Sequence, residues 1–310
     1  MTFMTRFAPS PTGHLHLGHA YSALFAEQYA HNQGGRFLLR IEDIDPERCK
    51  KEYETQILED LKWLGLNWET PVRRQSEHIN SYRSALTTLE NMDLLYPCFC
   101  SRKNIRDEIA AAGYAPHNIP HGPEGPLYPR TCSRLSQEER QERMASGIPF
   151  ALRLKTEFAI HQTGPLTWHD HLTGDQQATP EKFGDPVLAR KDIPTSYHLS
   201  VTVDDHIQAI SCVTRGHDLY SATHIHRLLQ ALLGLDTPAY HHHPLLADEK
   251  GQRYAKRDNA LTLHSLRNEG HSAATVRKMA FANAKSFRDR VCPYSNDSAC
   301  GRRSSRSIRS

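Results

Sequence analysis

At 310 residues, 38% of them apolar and with a formal net charge of +3, the chain is long enough for one large α/β domain carrying a small insertion. The charge is too small to prescribe a polyanionic partner, and no apolar run reaches the length of a membrane span. The first residues lack a basic region followed by an apolar core, so cytoplasmic residence is expected, and seven cysteines there argue for metal binding or inert burial over a disulfide framework.

Taken in chain order, Arg6-Phe7-Ala8 reads as a short strand that breaks at Pro9, Pro11 and Gly13. The chain re-enters as a helix from about His16 to Tyr29, stopped near Gly34-Gly35. Strand, sharp turn and helix present backbone N–H groups to an anion. His16 and His19, three apart, can face one ligand from the first helical turn and suit a triphosphate, since they donate hydrogen bonds where the helix dipole favours negative charge. Gly18 between them leaves room for a flat ring against the backbone. Arg36 to Ile41 reads as a strand covered on both faces, delivering Glu42, Asp43 and Asp45 at the end where ligands sit in open α/β sheets. Pro46 is expected to open the next helix behind an Asp45 cap, with Ile57, Leu58, Leu61, Trp63 and Leu64 on one stripe. Glu42 belongs instead to the strand end, faces the same mouth as Arg6 and can pair with an ammonium group. A further helix is expected from Ile79 to Leu95.

Cys98 and Cys100 on a turn can both reach one tetrahedral ion, and Cys132 supplies a third thiolate. Tyr128, His117, His121 or water fills the fourth position; buried free thiols are the bland alternative. Gly113 to Pro129 is too rich in Pro, Gly and His for regular structure, and a metal would give it a core. The middle of the chain, from Ala151-Leu152-Arg153-Leu154 onward, alternates like strand, and Tyr197 is placed just before a β-branched strand ending at Asp204-Asp205. Ile210 to Val213 forms another strand, after which Arg215 can make a bidentate pair with a carboxylate, or an ion pair with Asp218 at the surface. His241-His242-His243 opens the last strand; alternation separates the middle ring from its neighbours, and no metal site is expected there. The loop from Lys250 to Arg257 carries Arg253 and Lys256. From His271 onward nine Lys/Arg face two Asp, which reads as a basic, low-order tail.

Several of these segments together resemble the class I glutamyl-tRNA synthetase family from about Arg6 to Leu263. They are Pro9-Ser10-Pro11-Thr12-Gly13, His16-Leu17-Gly18-His19, Arg40-Ile41-Glu42-Asp43, Tyr197-His198-Leu199, Arg215-Gly216 with Asp218-Leu219, and Arg253-Tyr254-Ala255-Lys256. The resemblance implies a Rossmann-like class I synthetase catalytic domain with a small zinc-bearing insertion. Its first half would span residues 1–96 and its insertion 97–150; the second half with the loop would span 151–270 and the tail 271–310. It implies ATP, with Mg²⁺, held by Pro9, His16, Gly18, His19, Arg253 and Lys256, with His16, His19 and Lys256 catalytic. L-Glutamate would be bound by Arg6, Ala8, Ser10, Glu42, Tyr197 and Arg215, and one structural Zn²⁺ by Cys98, Cys100, Tyr128 and Cys132. Ala255 stands where the family usually has serine, which removes one loop hydrogen bond.

With only some forty basic residues where the family continues into an anticodon-binding region, the chain resembles the branch that lacks it. Members of that branch activate glutamate without tRNA and esterify it to the queuosine base in the anticodon stem-loop of tRNA(Asp). The implied partners are therefore glutamate, ATP and that tRNA, with no membrane and a monomeric enzyme. The competing expectations are a truncated glutamyl-tRNA synthetase charging a tRNA 3′ end, an inactive nucleotide- or tRNA-binding paralogue, and a small-molecule nucleotidyltransferase.

Overall fold

The computed structural model describes residues 2–111, 120–246 and 262–291. In chain order its elements are β1 (Met4–Phe7), α1 (Leu17–Asn32), β2 (Arg36–Ile41), α2 (Lys51–Trp63), β3 (Arg73–Arg74), α3 (Ile79–Asn91), β4 (Leu95–Cys98) and α4 (Arg102–Ala111). There follow β5 (His121–Gly122), β6 (Gly125–Pro126), α5 (Gln137–Ala145), β7 (Ala151–Leu154), α6 (Thr156–Thr163), β8 (Thr167–Asp170) and β9 (Gly174–Gln177). The remainder are β10 (Val187–Ala189), α7 (Tyr197–Ile207), β11 (Cys212–Gly216), α8 (Ala222–Leu233), β12 (Ala239–His243), α9 (Leu263–Asn268) and α10 (Ala273–Val291).

Two parallel blocks build the platform. β1, β2 and β3 lie side by side in parallel, and β11, β12 and β8 form a second parallel set edged by antiparallel β9. The Ser211 N–H donates to the Met4 carbonyl at 3.1 Å, which sets the start of β11 against β1. α1 crosses from β1 to β2, as parallel pairing requires, and buries Leu17, Ala20, Tyr21, Ala23 and Leu24. A second core joins α3, α7 and α8 around Leu199, Leu228 and Leu229. β4, β7 and β10 form a separate antiparallel sheet, and the cysteine-bearing segment lies between β4 and β7.

Four expectations are corrected. The second helix begins at Lys51, not Pro46, because Pro46 to Arg48 form a turn: Asp45 accepts the Cys49 N–H through its carbonyl at 2.9 Å and the Arg48 N–H through its side chain at 3.2 Å. The third ends at Asn91; Asp93 then takes a left-handed φ of 55° and releases Leu95 into β4. Tyr197 to Asp205 is helix, not strand. Ser196 caps it by accepting the Leu199 N–H, and packing of Leu199 and Val203 against α3 and α8, with Val201 and Thr202 also buried, outweighs the β-branched preference of the run. The stretch after His271 is not low-order throughout: α10 packs on α1 with Val276 and Ala280 fully buried. Residues 292–310 lie outside the described residues. Among the described residues no helix is long and apolar enough to cross a membrane.

Candidate active site

A cleft of about 320 Å³ opens where β1, β11 and the first turn of α1 meet. Arg6, Ala8, His16, Gly18, His19, Glu42, Tyr197 and Arg215 all line it, so most of the residues expected to bind the two substrates share one mouth. Two do not. Ser10 lines a neighbouring cavity of about 440 Å³ that shares Glu42 and Tyr197 with the first. Pro9 lines neither cavity and acts through its backbone, its carbonyl accepting the Glu42 N–H at 3.0 Å.

The histidines do more than face a ligand. His16 is the N-cap of α1: its Nδ1 accepts the Gly18 N–H at 3.1 Å, while His19 Nδ1 accepts the His16 N–H, also at 3.1 Å. Because both Nδ1 atoms accept, each neutral ring carries its proton on Nε2, the tautomer that can donate to an anion. The flat ring lying on Gly18 is that of His16, whose Cε1 would meet a Cβ there at 3.0 Å.

Behind the cleft lies a buried lattice of charges. Arg6 grips Asp205 with Nε at 2.9 Å and Nη2 at 3.2 Å, and donates from Nη1 to the Thr214 carbonyl at 3.2 Å. Three of its five donors are thereby engaged. Arg40, fully buried, donates from Nη1 to Asp205 at 2.8 Å and from Nη2 to Glu42 at 3.3 Å. Burial would lower the Arg40 pKa, but Asp205, Glu42 and Asp204 hold it above its ordinary value. Burial raises Glu42, and Arg40 and Arg6 offset that only in part, so an arriving ammonium group would favour the ionised form. Asp205 resists burial because Arg6 and Arg40 hold it down. α7 is itself fastened through Asp204, which accepts from Arg73, Gln75 and Tyr82 at 2.8 to 2.9 Å.

Arg215 is held differently. It makes no ion pair with Asp218; among the described residues all its partners are neutral. Nε donates to His242 at 3.1 Å, Nη1 to the Tyr197 hydroxyl at 3.3 Å and to His226 at 3.2 Å, and Nη2 to Thr223 at 2.7 Å. Since a guanidinium only donates, His242 Nε2 accepts, and its Nδ1 proton goes to Asp170 at 2.7 Å. Burial pulls His242 down to about 4, and Arg215 adds to this, against the Asp170 hydrogen bond. His226 lies well below its ordinary value, through burial and then the charge of Arg215. One Nη2 donor and the Tyr197 proton remain for a ligand in the cleft that both residues line. A Cβ at Gly216 would meet the Asp218 carboxylate at 2.6 Å and the Leu245 side chain at 2.7 Å, so any larger residue here would have to displace those two side chains.

Arg40, Asp205, Thr223, His226 and His242 are the participants that sequence reasoning passed over. Reading α7 as a strand put Tyr197 and Asp205 about 26 Å apart; on a helix they lie about 12 Å apart, two turns along one face.

The expected metal ligands converge. The donor atoms of Cys98, Cys100 and Cys132 all lie within 4.8 Å of one another. Cys100 Sγ is 3.4 Å from Cys132 Sγ and 3.5 Å from the Tyr128 hydroxyl, which also accepts the Cys132 N–H at 2.9 Å. Burial pushes Cys100 up to about 11, whereas Cys132 is lowered against burial by the Tyr128 hydroxyl and the Phe99 N–H. His117 lies outside the described residues. Arg253 and Lys256, with Ala255, also lie outside them. The flanking residues both come to the cleft: Leu246 lines it, and Thr262 bridges to His16 while the Leu263 N–H donates to the Leu15 carbonyl at 2.8 Å.

Residues 2–283 match the model of the class I tRNA synthetase (E and Q) catalytic domain. Among curated proteins, the glutamyl-Q tRNA(Asp) synthetase of Rhodobacter capsulatus is 47% identical over 281 residues, covering 89% of this chain and 99% of that protein. The glutamate–tRNA ligase of Coprothermobacter proteolyticus is 38% identical over 86% of this chain but only 55% of its own length. Among solved structures, a glutamate tRNA ligase from Elizabethkingia meningosepticum in complex with its amino acid superposes with a TM-score of 0.68 at 28% identity, over 83% of this chain and 52% of that one. The chain thus spans about half the length of the glutamate–tRNA ligases it matches and nearly all of the Rhodobacter protein.

Proposed function

The chain belongs to the class I tRNA synthetases for glutamate and glutamine, and we propose that it activates L-glutamate with ATP and transfers the glutamyl group to the queuosine base of tRNA(Asp). The observation that carries the reading is the buried Arg215, a cation with only neutral partners among the described residues, sharing a cleft with Arg6 and the acid Glu42. Two guanidinium groups and one carboxylate complement the two carboxylates and one ammonium of glutamate. In this reading Glu42 pairs with the ammonium, Arg6 and Arg215 hold the carboxylates, Tyr197 adds a hydroxyl, and Ala8 and Ser10 complete the walls.

ATP lies along the turn from Pro9 to His19. The Nε2 protons of His16 and His19 meet its phosphates, Gly18 leaves room for the His16 ring that is held against it, and Mg²⁺ accompanies the nucleotide as part of the substrate. Arg253 and Lys256 supply further positive charge; on either side of them in the chain, Leu246 lines the cleft and Thr262 bridges to His16. The glutamate α-carboxylate attacks the α-phosphorus, the bond to the β-phosphate oxygen breaks, and pyrophosphate leaves. The nucleophile is already ionised, so the residues act by positioning and charge stabilisation, and no general base takes part.

The three thiols and the Tyr128 hydroxyl suit Zn²⁺ in type and number. Bound there, the ion would supply a core to the insertion and take no part in the chemistry. The higher identity to the Rhodobacter glutamyl-Q tRNA(Asp) synthetase (47%) than to the Coprothermobacter glutamate–tRNA ligase (38%) favours the queuosine acceptor over a tRNA 3′ end, and a monomer suffices because all the described site residues come from one chain.

Glutamate-dependent ATP–pyrophosphate exchange without RNA tests activation; its absence would leave a nucleotide-binding paralogue or a nucleotidyltransferase indifferent to glutamate. Transfer to tRNA(Asp) with and without queuosine tests the acceptor, and equal transfer to tRNA(Glu) ends would replace this reading with a truncated glutamyl-tRNA synthetase.

A further inference from the structure

Arg215 meets no carboxylate directly among the described residues, yet a line of histidines connects it to one in the insertion. The direction of every bond in that line follows from the guanidinium, which can only donate. Nη1 of Arg215 donates to His226 Nδ1 at 3.2 Å. The His226 proton therefore sits on Nε2 and is donated to His198 Nδ1, also at 3.2 Å. His198 in turn carries its proton on Nε2, 2.9 Å from Glu124 Oε1. Both rings are nearly buried, whereas Glu124 is 60% exposed, between the two strands of the hairpin β5–β6.

We propose that Glu124 is a positioning residue for the amino-acid site. Through His198 and His226 it fixes the tautomers that hold Arg215, so that the insertion's hairpin works as part of the glutamate-binding wall. The inference rests on the reading of the cleft as a glutamate site. An exposed carboxylate–histidine contact adds little to fold stability, about 0–1 kcal/mol, so removing it leaves the protein folded. Its effect falls on the far end of the line. Without the acceptor at Glu124, the His198 ring is free to move its proton to Nδ1, which opposes the His226 Nε2 proton. That pair can relax only by turning His226 against Arg215. Glu124 also lines the neighbouring cavity with Glu42, Tyr197 and His198, so the hairpin closes the same side of the site from which Tyr197 reaches the ligand.

The test uses glutamate-dependent pyrophosphate exchange by the full chain. Glu124→Ala should raise the KM for glutamate roughly tenfold, within the range for mutations along a coupled network, with the KM for ATP and kcat changed less than twofold. Glu124→Gln, whose carbonyl still accepts from His198, should stay within twofold of the parent. An unchanged glutamate KM in Glu124→Ala, a parallel rise in both KM values, or failure of Glu124→Gln to preserve binding would each overturn the proposal. Nitrogen-15 spectra of labelled histidines give a readout independent of activity, with His198→Asn and His226→Asn assigning the signals. His198 and His226 should both show the Nε2–H tautomer in the parent, and His198 should lose it in Glu124→Ala. An Nδ1–H signal at His226 in the parent would overturn the relay. A parent without glutamate-dependent exchange would overturn the activity instead, and the spectra would still decide the relay.

Discussion

Arg6 on β1 and Arg215 on β11 line the same cleft, and both are almost fully buried. Arg6 belongs to a lattice in which each charge has a fixed opposite: it and Arg40 share Asp205, and Arg40 reaches Glu42. Arg215 is surrounded by two histidines, a threonine and a tyrosine, all neutral, with the nearest charge of Asp170 one imidazole away. A buried cation whose counter-charge is part of the protein mainly holds elements together. One stabilised only by hydrogen bonds keeps its charge for whatever anion enters. The first arrangement ties α7 to β1 and β2; the second leaves a socket.

Removing the lattice's central carboxylate is expected to have the largest effect. Asp205→Ala leaves Arg6 and Arg40 without their shared partner and should cost about 3–5 kcal/mol in urea unfolding; an unaltered midpoint would erase the distinction between the two arginines. Arg215→Gln should do the reverse. It should lower kcat/KM for glutamate roughly a hundredfold, as loss of a buried charge partner does, while the unfolding midpoint hardly moves. Arg215→Lys should not restore activity, because an ammonium cannot serve four acceptors in one plane. The cysteine cluster, which lies outside the cleft that both arginines line, provides the contrast. Cys98→Ser should cost about 2 kcal/mol and lower the bound zinc measured by elemental analysis, with the glutamate KM retained; a selective loss of glutamate binding would show that the cluster belongs to the socket.

The smallest effect is on pH dependence. His242 is held near 4 in the folded protein, below the ordinary histidine value, so as pH falls the unfolded chain takes up its proton first. Stability is therefore lost progressively on acidification, and the loss from this residue ends near its folded value. Between pH 6 and 5 the parent should lose about 1 kcal/mol more than His242→Asn. Equal slopes would mean that His242 is already charged beside Arg215, contrary to the neutral socket.

Local pattern made some of this legible and hid the rest. The turn from Pro9 to His19 could be read directly, because its prolines, glycines and histidines act within one strand–helix junction. Arg6, Glu42, Tyr197 and Arg215 could be named from short motifs that resemble one family. What those motifs could not convey was partnership. Asp205 and Arg40 are adjacent only after β2 and α7 have packed, and the reading of α7 as a strand followed honestly from its β-branched run. Likewise the apolar positions Val276 and Ala280 gave no strong stripe in a basic segment, and only α1 explains their burial.

The amino-acid order by itself determined the strand–turn–helix junction from Pro9 to His19, the cysteine set and the identities of the charged groups in the mouth. These depend on neighbours a few residues apart, where backbone geometry alone dictates proximity. Tertiary structure decided which of those charges are neutralised internally and which remain available. That is a matter of contacts between segments far apart in the chain, and hydrogen-bond direction in a buried site is set only once all the partners have arrived.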